Sequence, residues 1–146
     1  MHQKGQTLFE IVTVIAVIAL VITVLVKGLT LSLKNSRFVR EKSMARNYSN
    51  QVMEWLILQR DHSWNTFTGH LGIYCLNDLS WDDLTWPDLG ACQDDEFISG
   101  TNYQREATLT AVGESNQEVE VRVEVIWQSP RGQESYPLVQ NLTDWR

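Results

Sequence analysis

The stretch that decides the fold is Leu8–Val26, which reads LFEIVTVIAVIALVITVLV and is interrupted only by Glu10, Thr13 and Thr23. As a helix, this run would extend about 29 Å, which is enough to cross the hydrocarbon core of a bilayer. Its many β-branched residues would favour a strand in water, but a single segment in lipid can satisfy its own backbone hydrogen bonds only as a helix. We therefore predict a transmembrane helix over residues 8–26.

A cleaved secretory signal is the main alternative for an apolar segment this close to the N-terminus. Such signals have an apolar core of about 7–15 residues and end in small residues at the cleavage site. Here the run is longer, and Lys27 and Gly28 follow it without an A-x-A pattern. The sequence thus favours a helix that is retained in the mature chain.

Glu10 is the one charged residue in the apolar run. A carboxylate at bilayer depth costs a few kcal/mol unless it is partnered or lies near the interface. One explanation is that Glu10 reaches the headgroups from the first turns of the helix, where the helix dipole also favours a negative charge. The other is that a cation from a neighbouring molecule pairs with it.

The residues around Glu10 carry a family resemblance. Gly5-Gln6-Thr7-Leu8-Phe9-Glu10, behind the short leader Met1–Lys4, resembles the processing site of type IV prepilins and type II secretion pseudopilins. In that family a prepilin peptidase cuts after the glycine, the new terminal amine is methylated, and a glutamate at the fifth mature position supports filament assembly. The resemblance implies a leader over residues 1–5, cleavage between Gly5 and Gln6, N-methylation of Gln6 and an assembly role for Glu10.

Two features depart from the usual pattern of the family. The mature chain most often begins with Phe or Met, whereas here it would begin with Gln6. Many major pilins also carry a proline about twenty residues into the mature helix, but the first proline of this chain is Pro87. We therefore expect a minor or divergent pilin or a pseudopilin.

Apolar residues continue at helical spacing beyond the membrane segment, so we predict one long helix over residues 6–60. The stripe consists of Leu31, Phe38, Ala45, Tyr48, Val52, Trp55 and Leu56. We interpret it as the side on which a globular domain, residues 61–146, packs. A coiled-coil seam is the alternative, but the heptad pattern is short and imperfect.

Residues 61–102 lack periodicity and are expected to form a loop region closed by a disulfide between Cys75 and Cys92. One bridge in a chain with two cysteines suits an oxidising compartment. The aromatic residues of this region are interpreted as loop anchors. Its acidic residues could supply oxygen ligands for calcium, which some pilin relatives bind, but their spacing fits no EF-hand and a solvated loop is favoured. These residues are Asp78, Asp82, Asp83, Asp88, Asp94, Asp95 and Glu96.

The C-terminal region, residues 103–146, is predicted to form an antiparallel sheet. Its clearest strand runs from Glu118 to Trp127, where valines alternate with charged residues. Flanking strands are expected over Gln104–Val112 and Glu134–Gln140, joined by turns that contain Gly113–Asn116 and Ser129–Gly132. The predicted fold class is α+β: a pilin fold in which a long N-terminal helix packs on a small sheet.

The charge is distributed unevenly. Residues 1–60 contain eight Lys or Arg and three acidic residues, whereas residues 61–146 contain four and fifteen. Six of the cations lie between Lys27 and Arg46, just past the apolar run. The positive-inside rule alone would place this side in the cytoplasm. The cysteine pair and the family resemblance favour the opposite orientation, with a cytoplasmic N-terminus and an extracytoplasmic domain, which we adopt.

No pattern of a metalloprotease, P-loop, dinucleotide-binding site or nucleophile elbow occurs, and the three histidines are not spaced as a helical metal pair. We expect no enzyme, no cofactor and no nucleic acid partner. The expected function is that of a filament subunit, with prepilin peptidase, other pilin subunits and the inner membrane as partners. The alternative is a membrane-anchored extracytoplasmic binding or adhesion module that does not polymerise.

Overall fold

The fold combines one long helix with a four-stranded antiparallel sheet. The computed structural model describes residues 4–113 and 117–144, with side chains from Leu8 onward. The elements, in chain order, are α1 (Lys4–His62), α2 (Trp64–Gly69), β1 (Gly72–Cys75), β2 (Tyr103–Val112), β3 (Glu118–Ser129) and β4 (Gly132–Thr143). The predicted α+β class, with the long helix first and the sheet last, is confirmed.

The chain divides after Glu41 into two compact units. The described part of the first unit, from Lys4, is helix, and its apolar residues from Leu8 are exposed except for the half-buried Phe38. The second unit begins at Lys42 and contains the last part of α1, the short helix α2 and the whole sheet. The buried core lies in this second unit, because only there does a helix face have a sheet to pack against.

Helix α1 ends at His62, two residues beyond the predicted end at Arg60. Ser63 leaves the helical conformation with φ −161° and serves as the N-cap of α2, where its hydroxyl accepts a hydrogen bond from the backbone N–H of Thr66. A serine in this position satisfies one of the free N–H groups at a helix start. The cap thus separates the two helices by a single residue.

The sheet has the order β1-β2-β3-β4, and all neighbouring strands are antiparallel. The meander of β2, β3 and β4 was predicted from the alternating pattern and is confirmed. The turn between β3 and β4 contains Pro130 and Arg131 and closes on Gly132, whose φ of +119° lies in a region that favours glycine.

The core forms where α1 packs on the inner face of the sheet. On β3, the predicted alternation is confirmed, since every second side chain is buried. The helix contributes Val52, Trp55 and Leu56, all with no exposed surface. The buried side chains of β3 are Val119, Val121, Val123, Val125 and Trp127.

The region predicted as a loop, residues 61–102, contains two regular elements that the sequence analysis did not identify. Helix α2 has six residues and strand β1 has four, so neither is long enough to show a hydrophobic period. Strand β1 forms because β2 supplies its hydrogen-bonding partners, with Tyr74 opposite Ala107. Tertiary pairing, rather than local pattern, therefore determines this fourth strand.

Candidate functional site

The first feature with functional potential is the apolar surface of α1. The helix is long and apolar enough to cross a membrane, and none of its most apolar window is buried. Phe9 is 72% exposed and Val21, the most covered large side chain of the run, is 50% exposed. A single soluble domain rarely exposes an apolar patch of this extent, so the surface requires lipid or another protein to cover it.

Glu10 lies on this surface and is exposed. The neighbouring threonines satisfy their hydroxyl groups within the helix: Thr13 donates to the carbonyl of Glu10 at 2.8 Å, and Thr23 donates to the carbonyl of Ala19 at 2.8 Å. The carboxylate of Glu10 cannot be satisfied by a helix carbonyl, because it accepts hydrogen bonds and does not donate them. Among the residues described, no cation lies within 4.0 Å of it. It is the single charge that a covering partner would have to accommodate.

The predicted processing site lies at the start of α1. Gly5 and Gln6 fall within the bounds of the helix, whereas the side chain of Gln6 and the leader stretch Met1–Gln3 lie outside the described part of the chain. Cleavage after Gly5 and methylation of Gln6 therefore remain predictions.

The second feature is the disulfide region of the globular unit. Cys75, at the end of β1, is bonded to Cys92, as expected from the sequence. The side-chain amide of Asn77 donates to both sulfur atoms, at 3.3 and 3.5 Å, and to the carbonyl of Glu96 at 2.7 Å. The backbone N–H of Cys92 donates to the carboxylate of Glu106 on β2. These contacts fix the loop against the edge of the sheet.

Arg105 connects this region to the long helix and was not identified from the sequence. Its side chain is 5% exposed, and it donates to the side-chain carbonyl of Gln51 at 2.9 Å and to the backbone carbonyl of Asn77 at 2.8 Å. The guanidinium lies 5.7 Å from the ring centre of Tyr48. Burial lowers the pKa of Arg105 to about 10, and the electrostatic interactions of the guanidinium with Tyr48 and Asp78 oppose that shift. The alternation of β2 could have indicated this burial, because Arg105 occupies an inward position between Tyr103 and Ala107.

The aromatic residues form a cluster around Trp86. Its ring meets Trp55 edge-on at 5.0 Å and stacks on His70 at 4.4 Å with an angle of 7° between the planes. Phe67 and Tyr74 complete the cluster. Of the aromatic residues predicted to anchor a loop, Trp86 does so, whereas Phe67 and Tyr74 pack in the core from α2 and β1. Trp81 is 46% exposed. His70 is held by this stacking and by the backbone carbonyl of Thr66, which identifies it as a packing residue.

The acidic loop surrounds an open cavity of about 610 Å³. Four carboxylates line it, together with an apolar wall of Pro87, Leu89, Ala91 and Phe97. Within the described ranges, the only cluster close enough to hold a metal ion joins Glu96 to the two disulfide sulfurs, which are not free to act as thiolate ligands. The four carboxylates belong to Asp78, Asp88, Asp95 and Glu96.

Comparison with known proteins gives no relative: no protein family model, no curated protein and no solved structure matches this chain. The architecture of a long apolar N-terminal helix followed by a small antiparallel sheet is compatible with a pilin. The family resemblance rests on that architecture and on the residues from Gly5 to Glu10.

Proposed function

We propose that this chain is a structural subunit of a type IV pilus-like or pseudopilus filament, processed by prepilin peptidase after Gly5 and assembled through α1. The observation that carries the proposal is the apolar surface over residues 8–26, which is exposed throughout and contains one carboxylate, Glu10. In the membrane, lipid covers this surface. In a filament, the same surface of neighbouring helices covers it instead, so that a subunit can leave the bilayer without exposing apolar residues to water.

Glu10 fits this role because a carboxylate buried among helices needs a partner. After cleavage between Gly5 and Gln6, Glu10 is the fifth residue of the mature chain and lies slightly more than one helical turn from the new terminus. The terminal amine of one subunit can pair with Glu10 of the next, so that each charge offsets the desolvation of the other. Burying Glu10 without a partner would cost several kcal/mol. Neighbouring helices are therefore stable only in the register that pairs Glu10 with a terminal amine.

The proposed location follows from the same features. Before assembly the chain is a single-pass membrane protein with its N-terminus in the cytoplasm and residues 61–146 outside it. The Cys75–Cys92 disulfide supports this orientation, because such bonds persist in oxidising compartments. A helix without a proline in its first half and Gln6 at the mature terminus support a minor or divergent subunit over a major pilin.

Replacing Glu10 with alanine tests the proposal. We expect the Glu10→Ala chain to reach normal levels in the membrane but to be lost from filaments that are released by shearing, because the register-setting charge pair is gone. Thr13→Ala is the matched control, since Thr13 lies on the same run and satisfies its hydroxyl internally; its incorporation should be unchanged. A chain that is absent from sheared material whether or not Glu10 is present would instead indicate a membrane-anchored binding module.

A further inference from the structure

The cations that follow the apolar run form a basic face on α1. Lys34 follows Lys27 by seven residues and Arg37 follows Lys34 by three, which places the three on one side of the helix. All three are exposed, as is Arg40 in the next turn. The residues between Lys27 and Arg40 include no acidic residue, and the first carboxylate that follows belongs to Glu41.

Attraction to anionic lipid headgroups can explain only those cations of the basic face that lie close to the bilayer. Along a helix, Arg37 lies about 16 Å beyond the last apolar residue, Val26. Attraction to anionic headgroups decays within a Debye length, which is about 8 Å at physiological salt. Lys27 lies within that distance of the bilayer edge, whereas Arg37 and Arg40 do not. The membrane surface therefore leaves these more distant cations exposed and available to a protein partner.

The cavity of the globular unit has the complementary chemistry. Its rim carries Asp88 and Asp95, whose carboxylates make no hydrogen bond or ion pair within the described part of the chain. Among the described residues, no lysine or arginine lines it, and Leu89 and Phe97 provide exposed apolar surface. Lysine and arginine side chains have an apolar stem and a charged end, so a cavity with an apolar wall and an acidic rim suits both parts of them.

We propose that the basic face of α1, Lys27–Arg40, docks on the acidic cavity of a second copy of this chain. The inference rests on the proposed filament function and adds to it the surface that joins neighbouring subunits outside the membrane. Each copy carries both surfaces, and they differ from each other. Such a head-to-tail contact does not close on itself in a dimer but generates a ring or an open helical assembly. The charge pattern of the chain therefore suits a contact between adjacent copies within a filament.

Cross-linking between two differently tagged copies of the full chain tests this docking. One copy carries Leu33→Cys, which lies on the basic face one turn before Arg37, and the other carries Leu89→Cys in the cavity. Because each copy has one added cysteine, and the native pair is bonded, a short bismaleimide can join only different chains at these positions. The control copy carries Val139→Cys on β4, an exposed apolar residue that does not line the cavity.

We expect the Leu33–Leu89 pair to cross-link well above the Leu33–Val139 control. Adding Lys34→Glu and Arg37→Glu to the first copy should lower the yield about five-fold, the effect of losing two moderate ion pairs. Adding Asp88→Lys and Asp95→Lys to the second copy should restore it. A yield equal to the control, or one that charge reversal leaves unchanged, would overturn the proposal.

The same variants separate this inference from its competitors. Lipid binding overturns the inference under one combined result. Lys34→Glu with Arg37→Glu would have to weaken flotation with phosphatidylglycerol vesicles, leave flotation with phosphatidylcholine vesicles unchanged, and leave the cross-link in place. Cross-linking is measured on solubilised membranes and on sheared filaments. A chain that forms no filaments contradicts the proposed function but still reports on the docking, and a filament that assembles without the cross-link contradicts the docking alone.

Discussion

Arg105 is buried where β2 faces the long helix, and its guanidinium donates to Gln51 of α1 and to the backbone of Asn77. Its contacts join three separate parts of the globular unit. Below about pH 10 the guanidinium is protonated in both the folded and the unfolded chain, so the cost of burying the charge is constant through the neutral range. Above about pH 10 the folded chain releases this proton while the unfolded chain still holds it. Because the unfolded chain then binds more protons, the contribution of Arg105 to the free energy of unfolding increases with pH.

We predict that Arg105→Lys lowers the free energy of unfolding of the globular unit by about 1–2 kcal/mol, because an ammonium cannot reproduce the two directed hydrogen bonds. Thermal unfolding of the full chain in detergent, followed by the near-ultraviolet circular dichroism of its tryptophans, measures the change. Arg122→Lys, on the exposed face of β3, is the control and should change the stability by less than about 0.5 kcal/mol. An equal effect at both positions would show that the network of Arg105 contributes nothing special.

At the scale of the element, the disulfide region depends on a cross-link between residues 17 apart. We predict that the double variant Cys75→Ser with Cys92→Ser lowers the free energy of unfolding by about 3 kcal/mol, since the loop regains its freedom in the unfolded chain. The amide of Asn77 also loses two acceptors. Unfolding of the wild-type chain with and without a reductant provides the matched comparison. An unfolding midpoint that is the same in the double variant, the reduced chain and the oxidised chain would contradict the prediction.

The apolar half of α1 is the other element whose role can be tested alone. We predict that Ile18→Lys with Ile22→Lys prevents stable membrane insertion, because two lysines near the centre of a transmembrane helix cost about 6 kcal/mol. Alkaline carbonate extraction of membranes measures the fraction retained. Leu58→Lys, an exposed position in the last part of the same helix, should leave retention unchanged. Full retention of the double variant would mean that another feature holds the chain in the membrane.

At the scale of the whole molecule, the sequence predicts the elements that are long enough to show a period. Strands β2 and β3 alternate inward and outward residues along most of their length. Helix α1 is predicted instead from the length of its apolar run and from the stripe that follows it, and β4 from its position after the turn at Pro130–Gly132. Strand β1 and helix α2 escape prediction because pairing with β2 and packing of Phe67 determine them, and neither depends on local pattern.

The candidate sites divide in the same way. Glu10 and the cysteine pair are visible in the sequence because each is unusual in its own surroundings: a charge in an apolar run, and two cysteines in a chain with no others. The acidic cavity combines Cys75 and Asn77 with residues 87–97, and the network of Arg105 joins residues up to 54 apart in the chain. Such arrangements require the tertiary fold, since no spacing in the sequence encodes them.

The central claim is that the chain is a processed filament subunit, and the mass of its mature form tests it most directly. Mass spectrometry is performed on the chain purified from cells with and without an active prepilin peptidase. The account predicts that the peptidase removes Met1–Gly5 and leaves Gln6 at the N-terminus, while cells without it retain the leader. A chain that keeps Met1–Gly5 in the presence of the peptidase would contradict the proposed function.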